Sequence, residues 1–236
     1  VSIAYLHDPV ALVEASRKVA ALTHFEQVGQ DACVVWGLIT RHAVLTGELP
    51  TFADIESHVP DADYWRGVLL EAETQPPNTF SVNGWAVGAL QAAWSAIIHT
   101  PSTPAETHKP DLAEALGTVI RIGHDTDTTA AIAGQVLGGL WGASSVPAAW
   151  RMVLHGWPMS TARDLDELGM LIASGGKPLV YGWPVTDTVD YRSFGPASIE
   201  PHPFDMGLLI GSAPALDDLP DDVDAVHDPD GGDVIV

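Results

Sequence analysis

A single cysteine, Cys33, serves the whole 236-residue chain, so no disulfide can form within it. That excludes the disulfide-stapled secreted classes and fits a reducing compartment. Positive charge is scarce: 10 Lys and Arg stand against 31 Asp and Glu, for a formal net charge of −21. So acidic a surface repels a phosphate backbone, which argues against general nucleic-acid binding. A phosphate-bearing ligand must then be held by backbone N–H groups, helix N-termini or metal. No apolar run reaches a membrane span of about 20 residues. The best stretch, after Thr129, is broken by Gln135 and by glycines. Val1 to Tyr5 is too short and uncharged for a secretory signal, and no internal repeat is visible. The expectation is a soluble, cytoplasmic protein with no membrane or nucleic-acid partner.

What is present supports a core: 46% of the residues are hydrophobic, too many for a disordered chain. Their spacing is helical. Asp8 and Pro9 read as a cap and first residue of a helix running to Ala21, with Leu12, Val13, Ser16, Val19 and Ala20 facing inward. A second helix spans Gln27 to Thr46 on the face Ala32, Val35, Trp36, Ile39 and Ala43, and Gly47 ends it. A short helix follows Thr51, another covers Ala62 to Glu73, and Gln75-Pro76-Pro77-Asn78 is a loop. Gly84 to Ile98 is helical, with Trp85, Leu90, Ala93, Trp94 and Ile97 inside. Thr100 to Pro110 is a loop. Further helices are expected over Asp111 to Ile122, Thr128 to Gly142, Val146 to Leu154 and Ser160 to Ala173, with a turn at His155-Gly156-Trp157-Pro158. After residue 176 helical periodicity vanishes. Leu179 to Tyr181 and Met206 to Ile210 are short strand candidates, and Asp217 to Asp233 is an acidic, mobile end. Asp228 to Asp233 lacks the distal glutamate of a calcium loop. The fold class is therefore all-α, a compact multi-helix domain over 1–176 with a short irregular or β extension over 177–236.

One stretch organises the rest, Gly123-His124-Asp125-Thr126-Asp127-Thr128-Thr129. Asp and Thr are good N-cap residues, because their oxygens accept the orphan N–H groups of a first turn. One cap needs one such residue. Carboxylate and hydroxyl oxygens packed this closely also suit a hard divalent cation, and two carboxylates sharing a small site repel unless a cation lies between them. In the following helix Ala130, Gly134, Gly138 and Gly142 recur every four residues. Glycine inside a helix costs roughly 0.5–1 kcal/mol against alanine, so this face is expected to pack closely against another backbone.

The run from Gly123 to Gly142, continued by Ala143-Ser144-Ser145-Val146-Pro147-Ala148-Ala149-Trp150, resembles the C-terminal signature of the ADP-ribosylglycohydrolase family. The resemblance implies an all-helical fold. It also implies an activity, removal of ADP-ribose from modified protein or a small ADP-ribosyl compound, with two divalent cations, Mg²⁺ or Mn²⁺. Carried over by position, the metal ligands are Asp125, Asp127 and Thr128. His124 stands where the family often has glycine. Ala21-Leu22-Thr23-His24 resembles the family's Thr-His element, which makes His24 a ligand-binding residue. Asn83-Gly84-Trp85-Ala86-Val87 resembles its Gly-aromatic element, which places Trp85 against adenine or ribose. Leu154-His155-Gly156-Trp157-Pro158, with Arg163-Asp164-Leu165, is similar to bacterial members.

The family also has a segment ahead of the position of Val1, with a Gly-Asp element, a catalytic glutamate region and a Thr-Asp-Asp run. None of these is found here. The chain is therefore read as the C-terminal part of the domain, with an N-terminal fragment of the same domain as a partner. The acid–base residue is not identified. A second reading is a catalytically incomplete ADP-ribose-binding or regulatory protein. The other notable residues have plainer roles. Trp36 and Trp94 belong to the core, Cys33 is a small apolar residue with no base beside it, and His124 and Thr126 point away from the ligand.

Overall fold

A computed structural model describes residues 1–102, 110–157 and 160–175, all within one compact unit. Among them are nine α-helices: α1 (Pro9–Ala20), α2 (Gln27–Thr46), α3 (Phe52–Ile55), α4 (Ala62–Thr74), α5 (Ala86–His99), α6 (Leu112–Ile122), α7 (Thr126–Trp141), α8 (Ala148–Val153) and α9 (Ala162–Ala173). A two-residue antiparallel pair, β1 (His155–Gly156) with β2 (Ser160–Thr161), lies between α8 and α9. The fold is all-α, and no helix among the described residues is long and apolar enough to cross a membrane.

Five of the nine described helices begin at a capping side chain or a capping box. The Asp8 carboxylate accepts from the amide of Ala11 at 2.9 Å, with Pro9 opening α1. Asp111 accepts from the amide of Glu114 at 2.8 Å at the head of α6. Thr51 with Asp54, and Thr161 with Asp164, form reciprocal capping boxes on α3 and α9. At these two boxes the threonine hydroxyl and amide hold Asp54 and Asp164 below the ordinary carboxylate range.

The core is built around α2 and α5, each buried on nearly every side. Against α2 pack α1, α5 and α7, and against α5 pack α4, α6 and α7. Leu12, Ile39, Ile97, Leu137, Trp65 and Trp94 are fully buried. Each such side chain contributes about 1.5–3 kcal/mol relative to exposure. Trp36 and Trp94 meet edge to face, centroids 6.4 Å apart. Buried polar groups are paired. Trp36 Nε1 donates to the Ile132 carbonyl at 3.2 Å, tying α2 to α7. Trp94 Nε1 donates to Glu73 at 3.1 Å. Gln91 donates to Glu71 at 2.8 Å and to the Val68 carbonyl at 3.2 Å. The nearly buried Asp31 of α2 accepts from Arg17 and Gln27, both at 2.9 Å.

Several expectations are corrected. Val19 is exposed rather than inward-facing, because α1 covers α2 only along the stripe Leu12, Ser16 and Ala20. Helix α7 begins at Thr126, two residues early, since Asp125 and not a threonine caps it. Trp85 precedes α5 as its N-cap and is about half exposed, not inside the helix. The chain at His155 forms a small hairpin as well as a turn. The expected glycine face of α7 is not where backbones meet: a Cβ built on Gly138 touches nothing within 4 Å, and one on Gly134 only Leu116 at 3.9 Å. The close approach is one residue on. A Cβ on Gly139 would sit 2.8 Å from Val44 Cγ2 and 3.6 Å from the Thr40 carbonyl of α2. The extension over 177–236, with its two strand candidates and acidic end, lies outside the described residues.

Candidate active site

The acidic stretch forms the corner between α6 and α7. Gly123 turns the chain with φ +87°, and His124 follows in the left-handed region at φ +57°. Left-handed backbone is uncommon outside glycine, although histidine is among the residues enriched there. Asp125 then caps α7, its Oδ1 accepting from the Thr128 amide at 3.4 Å. The fully buried Thr129 hydroxyl donates to the Asp125 carbonyl at 2.5 Å. Two orienting bonds thus fall on Asp125 from its own helix.

A third comes from elsewhere, with a companion bond on Gly123. Asn83, in the loop before α5, is 1% exposed. Its Oδ1 accepts from the Asp125 amide at 3.0 Å, and its Nδ2 donates to the Gly123 carbonyl at 3.1 Å. One buried amide therefore brackets the left-handed His124 from both sides. Two residues later Trp85 stands at the start of α5. Gly88 lets its indole lie there, because a Cβ at 88 would collide with the Val82 carbonyl and come within 2.7 Å of Trp85 Nε1. His24 follows α1, with Nδ1 2.9 Å from the Thr23 hydroxyl and its carbonyl accepting from Gln30 at 2.9 Å.

These segments meet at one cleft of about 440 Å³. His24, Trp85, Asp125 and Thr128 all line it, although about 100 residues separate the first from the last. Its inner wall is apolar, from Trp36, Leu90 and Ile132. No lysine or arginine lines it among the described residues, which matches the shortage of positive charge. Asp127 is not in the lining. It is exposed beside Asp125 in the first turn of α7. His124 and Thr126 are also outside the lining.

The electrostatics centre on Asp125. The Thr128 hydroxyl holds its carboxyl below the ordinary carboxylate range. Desolvation opposes this, and the Thr128 amide adds to it. Asp125 is therefore ionised at neutral pH. Burial pushes the Cys33 thiol up, so on this wall it is a protonated, half-buried filler and not a nucleophile. The donor set of Asp125, Asp127 and Thr128 is hard oxygen, the chemistry that Mg²⁺ and Mn²⁺ prefer. Among the described residues no three His, Cys, Asp or Glu side chains are grouped to hold a metal. The two carboxylates could thus hold only part of a coordination sphere.

Asn83 and Gly88 carry no mark of this role in the sequence. The Asn-Gly pair after a Pro-Pro loop marks a turn, but nothing local says that the amide reaches residues 40 positions away. In the comparisons with known proteins, residues 1–177 match the family model described as ADP-ribosylglycohydrolase. Neither the curated proteins nor the solved structures give a significant match.

Proposed function

Since the chain belongs to the ADP-ribosylglycohydrolase family, a family of hydrolases, we propose that it takes part in metal-dependent removal of ADP-ribose from protein or from a small ADP-ribosyl compound. The observation that carries this reading is the cleft itself, where His24, Trp85, Asp125 and Thr128 converge from three separate segments. Asp125, Asp127 and Thr128 would hold Mg²⁺ or Mn²⁺, two cations in the full site, with water, substrate oxygens or residues outside those described completing the shell. When bound, a divalent cation there supplies an activated water and stabilises charge on oxygen.

The chain's own residues do the rest. The backbone of Asp125 is held at its N–H by the Asn83 amide and at its carbonyl by the Thr129 hydroxyl, which limits the reorganisation needed as charge develops. The half-exposed Trp85 indole offers a stacking face for adenine or ribose. His24, on the same cleft, serves as a hydrogen-bonding group for a ribose hydroxyl. Trp36, Leu90 and Ile132 exclude water from the inner wall. The diphosphate meets no lysine or arginine in the described lining, so backbone N–H groups and the cation would carry it. Bond breaking at C1 of the ribose passes through an oxocarbenium-like transition state, as in other glycosidic hydrolysis. A cytoplasmic location belongs to the same proposal, supported by the lone cysteine.

Arginine- and serine-linked ADP-ribosylated proteins and a small ADP-ribosyl ester, incubated with the protein and Mn²⁺ or Mg²⁺, test the reading. Release of ADP-ribose that EDTA abolishes, and that falls at least 100-fold in D125N, supports it. No release from any substrate together with no Mn²⁺ binding overturns it. The absence of a three-residue metal group among the described residues favours a second reading, an ADP-ribose binder without turnover. Calorimetric binding of ADP-ribose with no hydrolysis in the same samples selects that one.

A further inference from the structure

We propose that Asn83 is a positioning residue for the acidic corner, locking the backbone that carries the Asp125 carboxylate to the loop that carries Trp85. This deepens the reading above and rests on it for the identity of the site. The geometry is specific. Asn83 is almost wholly buried, and both ends of its amide are used, Oδ1 by the Asp125 N–H at 3.0 Å and Nδ2 by the Gly123 carbonyl at 3.1 Å. Those two backbone groups flank His124, the residue held at φ +57°. A left-handed non-glycine residue persists only where its surroundings over-determine it. The Thr126 amide bonds the His124 carbonyl at 3.0 Å from within the corner, and Asn83 supplies the two bonds that reach it from another segment.

Two features separate this from ordinary core satisfaction. Asp125 lies just ahead of α7, so its N–H has no carbonyl partner in the helix. The bond to Asn83 is the partner it has. The lever is also short, because Asn83 and Trp85 are two residues apart on one loop. Any shift of that loop moves the aromatic wall and the acidic corner together. The side chain that reads the nucleotide and the one that faces the cation are thus one mechanical unit, although they cap two different helices, α5 and α7.

The test compares wild type with N83L, close in size and unable to hydrogen-bond, and N83S, too short to reach both partners. Q91L serves as the control, since it also removes a nearly buried amide but lies between α4 and α5. Amide exchange at Asp125 is read by NMR, and Mn²⁺ affinity by calorimetry. Exchange at Asp125 should rise at least tenfold, and Mn²⁺ affinity fall at least tenfold, in N83L and N83S but not in Q91L. If N83L does not fold, the same two measurements on N83S decide the matter. Unchanged exchange at Asp125 in a folded variant overturns the proposal. So does faster exchange with unaltered Mn²⁺ affinity, which would leave Asn83 a structural residue only. Wild-type protein that binds no Mn²⁺ would instead overturn the metal reading, and the exchange data would then decide the Asn83 clamp by themselves.

Discussion

Two adjacent glycines near the end of α7 should answer a single added methyl with opposite signs. At Gly138 an ideal Cβ meets no heavy atom within 4 Å. G138A should therefore keep the propensity gain of alanine over glycine in a helix, about 0.5–1 kcal/mol. At Gly139 the same gain is opposed. The new Cβ lands 2.8 Å from Val44 Cγ2, 3.4 Å from the Val44 amide nitrogen and 3.6 Å from the Thr40 carbonyl. Val44 cannot turn aside freely, because a β-branched side chain in a helix holds mainly one rotamer, and the other two neighbours are backbone. Overpacking of this kind costs roughly 1–3 kcal/mol. G139A should then range from neutral to about 2 kcal/mol destabilised, leaving the two variants about 1–3 kcal/mol apart. At about 2–4 °C per kcal/mol for a domain of this size, the gap in Tm is several degrees by circular dichroism, and urea melts should rank the pair the same way. Equal stabilisation of both variants would refute the assignment of the α2–α7 contact to Gly139.

The remaining predictions concern the site. T128V removes the main cause of the lowered Asp125 pKa, so the Asp125 carboxyl midpoint, followed by ¹³C NMR, should move up towards the ordinary value of about 3.9. The sign for stability follows. A depressed folded pKa favours the native state above the unfolded value, and that contribution disappears as pH falls through the folded midpoint. The acid limb of the melting curve should therefore flatten in T128V, and an unshifted midpoint would contradict the hydrogen-bond assignment. W85A removes a half-exposed ring, so ADP-ribose affinity should drop about tenfold to 100-fold, from roughly 1–3 kcal/mol of base stacking. Its Tm should stay within a few degrees of wild type, and unchanged affinity would remove Trp85 from the binding wall. H124G relieves a left-handed residue at roughly 1 kcal/mol, offset by a freer unfolded chain. Its stability should change by less than about 1 kcal/mol, with Asp125 amide protection kept; loss of that protection would mean that the His124 side chain, and not Asn83, holds the corner.

Local signals in the chain sufficed for a good deal. Asp8 before Pro9 and Gly47 after Thr46 marked helix ends, because caps act over three or four residues of contiguous chain. The face Ala32, Val35, Trp36, Ile39 and Ala43 was readable from period alone, and all five residues are buried. Asp125 was legible as a residue of unusual surroundings because four oxygen-bearing neighbours exceed what one cap requires.

The tertiary structure decided what depends on which helix lies against which. Val19 has the right spacing for the core, yet α2 does not reach it, and it is exposed. Gly138 and Gly139 are indistinguishable in a one-dimensional pattern, and only the path of α2 makes the second one tight. Trp85 could have been core or wall until α5 was seen to begin one residue later. Asn83 was visible only as part of a turn beside Trp85; its bonds to Gly123 and Asp125 were not, since hydrogen bonds spanning 40 residues leave no period and no spacing behind. Composition, caps and hydrophobic period are short-range properties, and one chain carries them openly. The meeting of His24, Trp85 and Asp125 at one cleft is a property of packed helices, and it exists only once their faces have chosen one another.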